Sequence, residues 1–202
     1  MERLDKILAG TGRWSRREVK ELVRQGRVTL DGAPAASPEQ KLEPTAADVR
    51  VEGEPVAYRR FTYILLHKPA GVLSAVEDSR QKTVLDLLPL ELRKQGLSPV
   101  GRLDKDTEGL LLLTNDGELT HRLLSPRYHV DKRYLARVDG DLSPADVSAF
   151  AAGMTLPDGL VCLPAGLELL PQPRTCIVTL REGKFHQVKR MLAARGKPVT
   201  YL

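Results

Sequence analysis

Asp104 is the carboxylate of this sequence best placed to do chemistry. It stands in Val100–Gly117, VGRLDKDTEGLLLLTNDG, between Arg102 and Lys105, with Asp106 two positions on. A carboxylate kept ionised among cations can serve as a nucleophile or a general base. It also needs rigid support. Leu110 to Leu113 run unbroken into Asn115-Asp116-Gly117, which reads as a strand buried on both faces and closed by a turn. From spacing alone a solvated turn aspartate is the simpler reading, because most charged loops are only solvated. Two distant side chains matter if the fold brings them to Asp104. Tyr134 lies on an expected strand over Val130–Val138, with Ala136 and Val138 on its face and Leu135 and Arg137 on the other. Lys189 lies beside the apolar arc Val188, Met191, Leu192 of an expected helix from Phe185 to Ala194. Such a lysine can also simply snorkel.

The elements that must position these groups follow from periodicity and punctuation. Phe61 to Leu66 is β-rich and ends at His67-Lys68-Pro69-Ala70-Gly71, where Pro69 and Gly71 make a turn. Lys68 is a candidate phosphate contact. Thr83 to Leu88 has helical spacing up to Pro89, and Leu119, Leu123 and Leu124 give another short helix. Ser143, Pro144 and Asp146 read as N-cap, N1 and N3 of a helix ended by Gly153. Thr175–Leu180 is the cleanest strand, and Val199 to Leu202 starts another. Strands interleaved with short helices at irregular spacing predict an α+β domain with a mostly antiparallel sheet. The sequence has no glycine-rich phosphate loop, no His/Cys ligand cluster and no serine elbow. No metal or cofactor is expected.

The first sixty residues read as a separate small domain. Leu4, Ile7 and Leu8 share one face of a short helix ended by Gly10 and Gly12. Ser15 with Glu18 is a capping box that starts a second helix at about Arg16. Its wheel sorts Val19, Leu22 and Val23 into an apolar arc, and Arg16, Arg17, Lys20 and Arg24 into a basic one. Glu18 and Glu21 fall on the remaining side, whereas a merely solvated helix interleaves its signs as i,i+4 pairs. That segregation favours a nucleic-acid surface. With Trp14 as the one aromatic among the first thirty residues, phosphate contacts and RNA shape are the expected mode. A strand over Arg27–Leu30 turns at Asp31-Gly32, and short strands near Asp48–Val51 and Val56 precede a linker at Arg59–Thr62.

Composition sets the outer bounds. The 202 residues are 42% hydrophobic and 28% charged, enough for one ordinary domain and a small one. The longest apolar runs fall far short of the roughly 20 residues of a membrane span, and the charged start Met1-Glu2-Arg3-Leu4-Asp5-Lys6 has no signal-peptide core. A cytoplasmic protein without a membrane partner is expected. Cys162 and Cys176 read as buried, reduced thiols. The net charge of +5 says less than its placement: eight Lys/Arg against four Asp/Glu in the first 30 residues, and six against Glu182 alone from Arg181 to Lys197. Two basic ends suit a surface that tracks a phosphate backbone.

These motifs carry two resemblances. Arg3-Leu4-Asp5-Lys6, Ser15-Arg16-Arg17-Glu18, Gly26-Arg27-Val28 and Asp31-Gly32 resemble the S4 RNA-binding domain. That implies RNA contacts from Arg3, Lys6, Ser15, Arg16, Arg17, Lys20 and Arg24. Lys68-Pro69-x-Gly71, Gly101-Arg102-Leu103-Asp104-x-Asp106-Thr107-x-Gly109-Leu110, Lys132-x-Tyr134 and Glu182-Gly183-Lys184-Phe185-His186-Gln187-Val188-Lys189-Arg190-Met191 resemble the RsuA-type pseudouridine synthases of ribosomal RNA. The resemblance implies an S4-type domain over residues 1–58 and a pseudouridine synthase catalytic domain over 59–202. It also implies isomerisation of one uridine in small-subunit rRNA, by a monomer acting on rRNA or on an assembling small subunit. Asp104 would be the catalytic carboxylate, Lys189 its basic partner and Tyr134 the ring under the flipped uracil. Arg102 would fill the gap that base leaves, and Leu202 would line the pocket. The family continues past this leucine with a basic strand, so a pocket wall incomplete at that edge is expected. A large-subunit target, or a non-catalytic role in ribosome assembly, is the alternative.

Overall fold

A computed structural model describes residues 1–44, 46–128 and 130–202. They form two compact units: Met1–His67 with Val72–Arg102 and Leu110–Gly117, and Lys68–Gly71 with Leu103–Gly109 and Glu118–Leu202.

In the first unit, Leu4, Ile7 and Leu8 are fully buried on the helix Leu4–Gly10. They pack with Val19, Leu22 and Val23 of the helix Arg16–Arg24 and with Val28, Val49 and Val51 of a small sheet. The capping box is present: Glu18 N donates to Ser15 Oγ, and Ser15 N donates to Glu18 Oε2 at 2.6 Å. The sheet pairs Val28–Leu30 with Val49–Val51 antiparallel and adds two-residue edges at Ala33–Pro34 and Glu54–Pro55. Gly12 is obligatory. Its φ is +78°, and a Cβ there would lie 1.9 Å from the Glu91 carbonyl oxygen. The Asn115 turn also holds chain: Asn115 Oδ1 accepts from Thr62 N at 2.9 Å, and its Nδ2 donates to the Gln95 carbonyl.

Two expectations for this unit fail. Thr83–Leu88 is no helix; it holds only a 3-10 turn at Leu85–Leu87, followed by one α-turn at Leu90–Arg93. Thr83 makes a local cap, its backbone and hydroxyl both donating to Asp86, but Pro89 follows before a second α-turn can form. The strand Gly109–Thr114 is not buried on both faces. Leu111 and Leu113 are inside, but Leu110 is 73% exposed. An unbroken leucine run therefore hides an alternation.

Asp5 offers a test of this unit. It is 1% exposed, and both its oxygens accept from Arg3, at 3.0 and 2.7 Å. The hydrogen bonds from Arg3 outweigh burial and hold its carboxyl below the usual range. Exposed pairs such as Arg50–Asp48 are worth about 0–1 kcal/mol. Removing this charge-assisted pair should cost about 1–3 kcal/mol. Asp5→Ala is therefore expected to lower the denaturation midpoint at pH 7. Because the folded pKa is depressed, the contribution is complete above the ordinary aspartate value of about 3.9 and fades as pH falls below it. Equal denaturation midpoints for variant and wild type at pH 7 would refute this.

The second unit is built on a four-stranded antiparallel sheet, in the order Gly166–Leu169, Thr175–Leu180, Lys132–Val138, Val199–Tyr201. Tyr134 sits opposite Val178, and Ala136 opposite Cys176. Ala136, Val138, Cys176, Val178 and Leu180 face inward onto Phe150 of the helix Pro144–Ala152 and onto Val188, Met191 and Leu192 of the helix Gln187–Ala194. Leu135 and Arg137 face out, as the alternation predicts. The Ser143–Asp146 cap forms as expected, and Asp146 also accepts from Arg195 at 2.9 Å, tying the two helices together. Gly153 ends its helix at φ +75°, where a Cβ would lie 2.7 Å from the Cys162 carbonyl oxygen. Both cysteines are free and buried.

Candidate active site

All the reacting groups expected from the sequence fall in the second unit. Asp104 is the C=O end of a tight turn, its carbonyl accepting from Thr107 N at 3.1 Å. That loop is held from below by Lys68, whose side chain is fully buried. Its ammonium donates to three carbonyls: Thr107 at 2.8 Å, Lys105 at 3.1 Å and Pro69 at 3.1 Å. The Lys105 carbonyl also accepts from Gly71 N at 2.7 Å. Lys68 thus corrects the expectation of a phosphate contact. An ammonium with three protein acceptors and no exposed surface cannot reach a phosphate. Burial lowers its pKa, against the pull of Asp106, Asp104 and Glu108.

Lys189 approaches from the first turn of the helix Gln187–Ala194. Its ammonium lies 3.2 Å from Asp104 Oδ2 and 2.5 Å from Asp106 Oδ1. Burial works against its charge, but the hydrogen bonds to Asp106 and Asp104 win and raise its pKa. Asp106 is held below the ordinary range by the same bond. The lysine is therefore an ammonium at any physiological pH, shared between two carboxylates. Asp106 in this role was not read from the sequence, where it stood only as a neighbour in a charged loop.

The start of that helix is fixed by a clamp. Glu182 Oε1 accepts from Gln187 Nε2 at 2.6 Å and from Leu163 N at 2.9 Å, and Gln187 Oε1 accepts from Lys184 N at 3.0 Å. Gln187 is 3% exposed. The pair closes the loop Gly183–His186 and leaves His186 at φ +49°, with Nε2 3.5 Å from Asp104 Oδ1. Neither clamp residue is visible as such in a sequence, since both are ordinary polar residues near a turn.

Tyr134 is half-buried on the core-facing side of its strand. Burial and the Asp104 charge both raise its phenol pKa, so the ring stays neutral and lies within the field of that carboxylate. Leu202 packs on the same core cluster, and its carbonyl accepts from Glu108 N at 3.0 Å. Arg102 is exposed two residues before Asp104. Asp104 and Lys189, far apart in sequence, therefore meet, and Tyr134 packs on the adjoining core within the influence of the Asp104 charge. A carboxylate beside an ammonium, with an aromatic ring to seat a base, can attack or deprotonate a sugar.

Comparison with known proteins identifies the assembly. The RNA pseudouridylate synthase family matches residues 62–161, and the S4 domain matches residues 2–47. A Bacillus subtilis protein described as an uncharacterized RNA pseudouridine synthase, YtzG, is 50% identical over 99% of this chain and 85% of its own length.

The chain belongs to the RNA pseudouridylate synthase family.

Two further relatives are named for different ribosomal subunits. The Bacillus subtilis ribosomal large subunit pseudouridine synthase B is 39% identical over 100% of this chain and 84% of its own. The Vibrio cholerae ribosomal small subunit pseudouridine synthase A is 38% identical over 98% of this chain and 84% of its own. A solved pseudouridylate synthase superposes on the whole chain and 86% of its own with TM-score 0.65 and 32% identity. The synthase is thus an isomerase acting on RNA, with an S4 domain ahead of it. The matched synthase segment contains Asp104 and Tyr134 and ends before Lys189.

The S4 residues of this synthase are less free than their wheel suggests. Arg24 pairs with Glu21 at 2.7 Å, and Lys20 with Glu39 at 3.6 Å. Arg3 pairs with Asp5 and Glu39, and Lys6 with Glu2. The expected segregation of charge is therefore incomplete, because Glu39 comes from a loop the wheel does not include. Ser15 spends its hydroxyl on the cap. Arg16 and Arg17 are exposed and make no ion pair among the described residues.

Proposed function

We propose that this synthase isomerises a single uridine of small-subunit ribosomal RNA, using Asp104 on a base turned out of its stack. The reading rests on the 3.2 Å pair of Asp104 with Lys189 beside Tyr134. The reaction breaks the C1′–N1 bond, turns the uracil and forms a C1′–C5 bond. The hydrogen on C5 leaves, and N1 gains a proton. Atoms and oxidation state balance without a donor or cofactor. The target base must leave the helix to be reached. Ionised Asp104 then attacks the nucleoside or removes a proton from its sugar. Lys189 keeps a cation against that carboxylate, and the neutral Tyr134 ring seats the uracil, worth about 1–3 kcal/mol by stacking. Arg102 enters the gap in the helix, and Leu202 lines the pocket. Arg16 and Arg17 supply phosphate contacts that set register.

A large-subunit target is the second reading, favoured by the 39% identity to the large-subunit enzyme. Mapping pseudouridines in both rRNAs from a strain lacking this protein decides. One site lost from the small-subunit rRNA and restored by the wild-type gene is the expected result. Loss from the large-subunit rRNA supports the second reading, and an unchanged map in both sinks the ribosomal assignment.

A further inference from the structure

Phe185 is the exposed aromatic of this site that the reaction so far leaves unused. Its ring is 73% exposed, and single exposed apolar residues are ordinarily without meaning. Three observations separate this one. Its inner face is already occupied: the His186 imidazole stacks on it at 3.8 Å between centroids and 18° between planes. That imidazole faces the reacting centre, with Nε2 3.5 Å from Asp104 Oδ1. Backbone at φ +49° holds it there, a conformation that a non-glycine residue keeps only when its surroundings enforce it. Finally, the Glu182–Gln187 clamp fixes the loop that carries the ring. An open π-face at a fixed offset from a carboxylate matches a nucleobase.

We propose that Phe185, backed by His186, is a stacking platform for a nucleobase of the substrate RNA adjacent to the target uridine. This rests on the pseudouridine synthase reading above. When a base flips out, its neighbour loses a stacking partner, and unstacking opposes flipping. With Arg102 in the gap on one side, the free face of Phe185 replaces that partner on the other. The target uracil itself is seated by Tyr134, so the two rings serve different nucleotides. Phe185 is a positioning and binding group; it takes no part in bond making.

The test compares Phe185→Ala, Phe185→Leu and Phe185→Tyr in the full chain on rRNA transcripts. Alanine and leucine should each reduce kcat/KM by roughly tenfold or more, while tyrosine retains wild-type kinetics. Leucine keeps apolar bulk without a π-face, so wild-type kinetics in that variant overturn the proposal. Melting temperatures of all three should match wild type, because the ring is mostly in solvent; a large fall in melting temperature that accounts for the lost turnover also overturns it. A second readout is photocrosslinking of transcripts carrying 4-thiouridine. Adducts on the peptide with Phe185 and His186 should map beside the modified nucleotide; adducts on the modified nucleotide itself overturn the neighbour assignment. The two readings fail separately. A wild-type chain that crosslinks at Phe185 but forms no pseudouridine refutes the enzymatic reading alone. An active enzyme indifferent to Phe185→Leu refutes the platform alone.

Discussion

An Asp104→Asn variant is expected to form no pseudouridine above background, a fall in kcat on the order of 10⁴-fold or more. The amide matches the carboxylate in shape but has no anionic oxygen with which to attack or to take a proton, so both routes open to Asp104 close together. The protein itself should survive. Asp104 is part-exposed, and its side chain meets Lys189 and His186 without carrying its own loop, which is fixed through backbone carbonyls by Lys68 and Gly71. Lys189 loses the 3.2 Å partner but keeps Asp106 at 2.5 Å, so no ammonium is stranded. The stability change should stay within about 1 kcal/mol. RNA binding should be equal or slightly tighter, because one negative charge has left a basic surface. Release of tritium from RNA labelled at uridine C5 reads the turnover, and filter binding reads the affinity. Turnover within about tenfold of wild type would remove Asp104 from the chemistry.

What a reader of the sequence can see of this enzyme is whatever a short window encodes. The Ser15–Glu18 box, the Ser143-Pro144-Asp146 cap and the strand Thr175–Leu180 are local objects, and each stands where its residues put it. Asp104, Lys189 and Tyr134 come from three separate windows. Only the resemblance to known synthases joined them; spacing left each with an ordinary alternative. Lys68 shows what no window contains. A lysine before Pro69 in a turn looks solvated, and its burial is caused by carbonyls 37 and 39 residues further on. Asp106 was hidden for a similar reason, since its partner is 83 residues away. The run Leu110–Leu113 misled in the opposite sense. Its composition suggests two buried faces, but burial depends on which faces the sheet has neighbours for, and Leu110 lies on the open one. The basic arc of the second helix was likewise drawn without Glu39, which reaches Lys20 and Arg3 from outside the helix.

Lys68→Met is expected to be nearly as damaging as the loss of Asp104, for a wholly different reason. Methionine fits the length and the apolar part of the site and relieves the burial of a charge. It offers nothing to the carbonyls of Pro69, Lys105 and Thr107. Each buried acceptor left unpaired costs about 1–3 kcal/mol, though the Lys105 carbonyl keeps a second donor, from Gly71. The cheapest escape is for the loop to turn those carbonyls to water, and that carries Asp104 away from its position. A displacement of about 1 Å is enough to lower turnover roughly 10²-fold. The loss should appear in kcat with little change in RNA affinity, because the ammonium has no exposed surface. The salt dependence of binding separates this from a phosphate contact. Removing a phosphate-bound cation reduces the slope of log K against log salt by about 1; Lys68→Met should leave the slope unchanged, whereas Arg17→Ala should reduce it. A weakened slope with intact kcat would mean that Lys68 reaches the RNA after all, and that the loop bearing Asp104 stands without it.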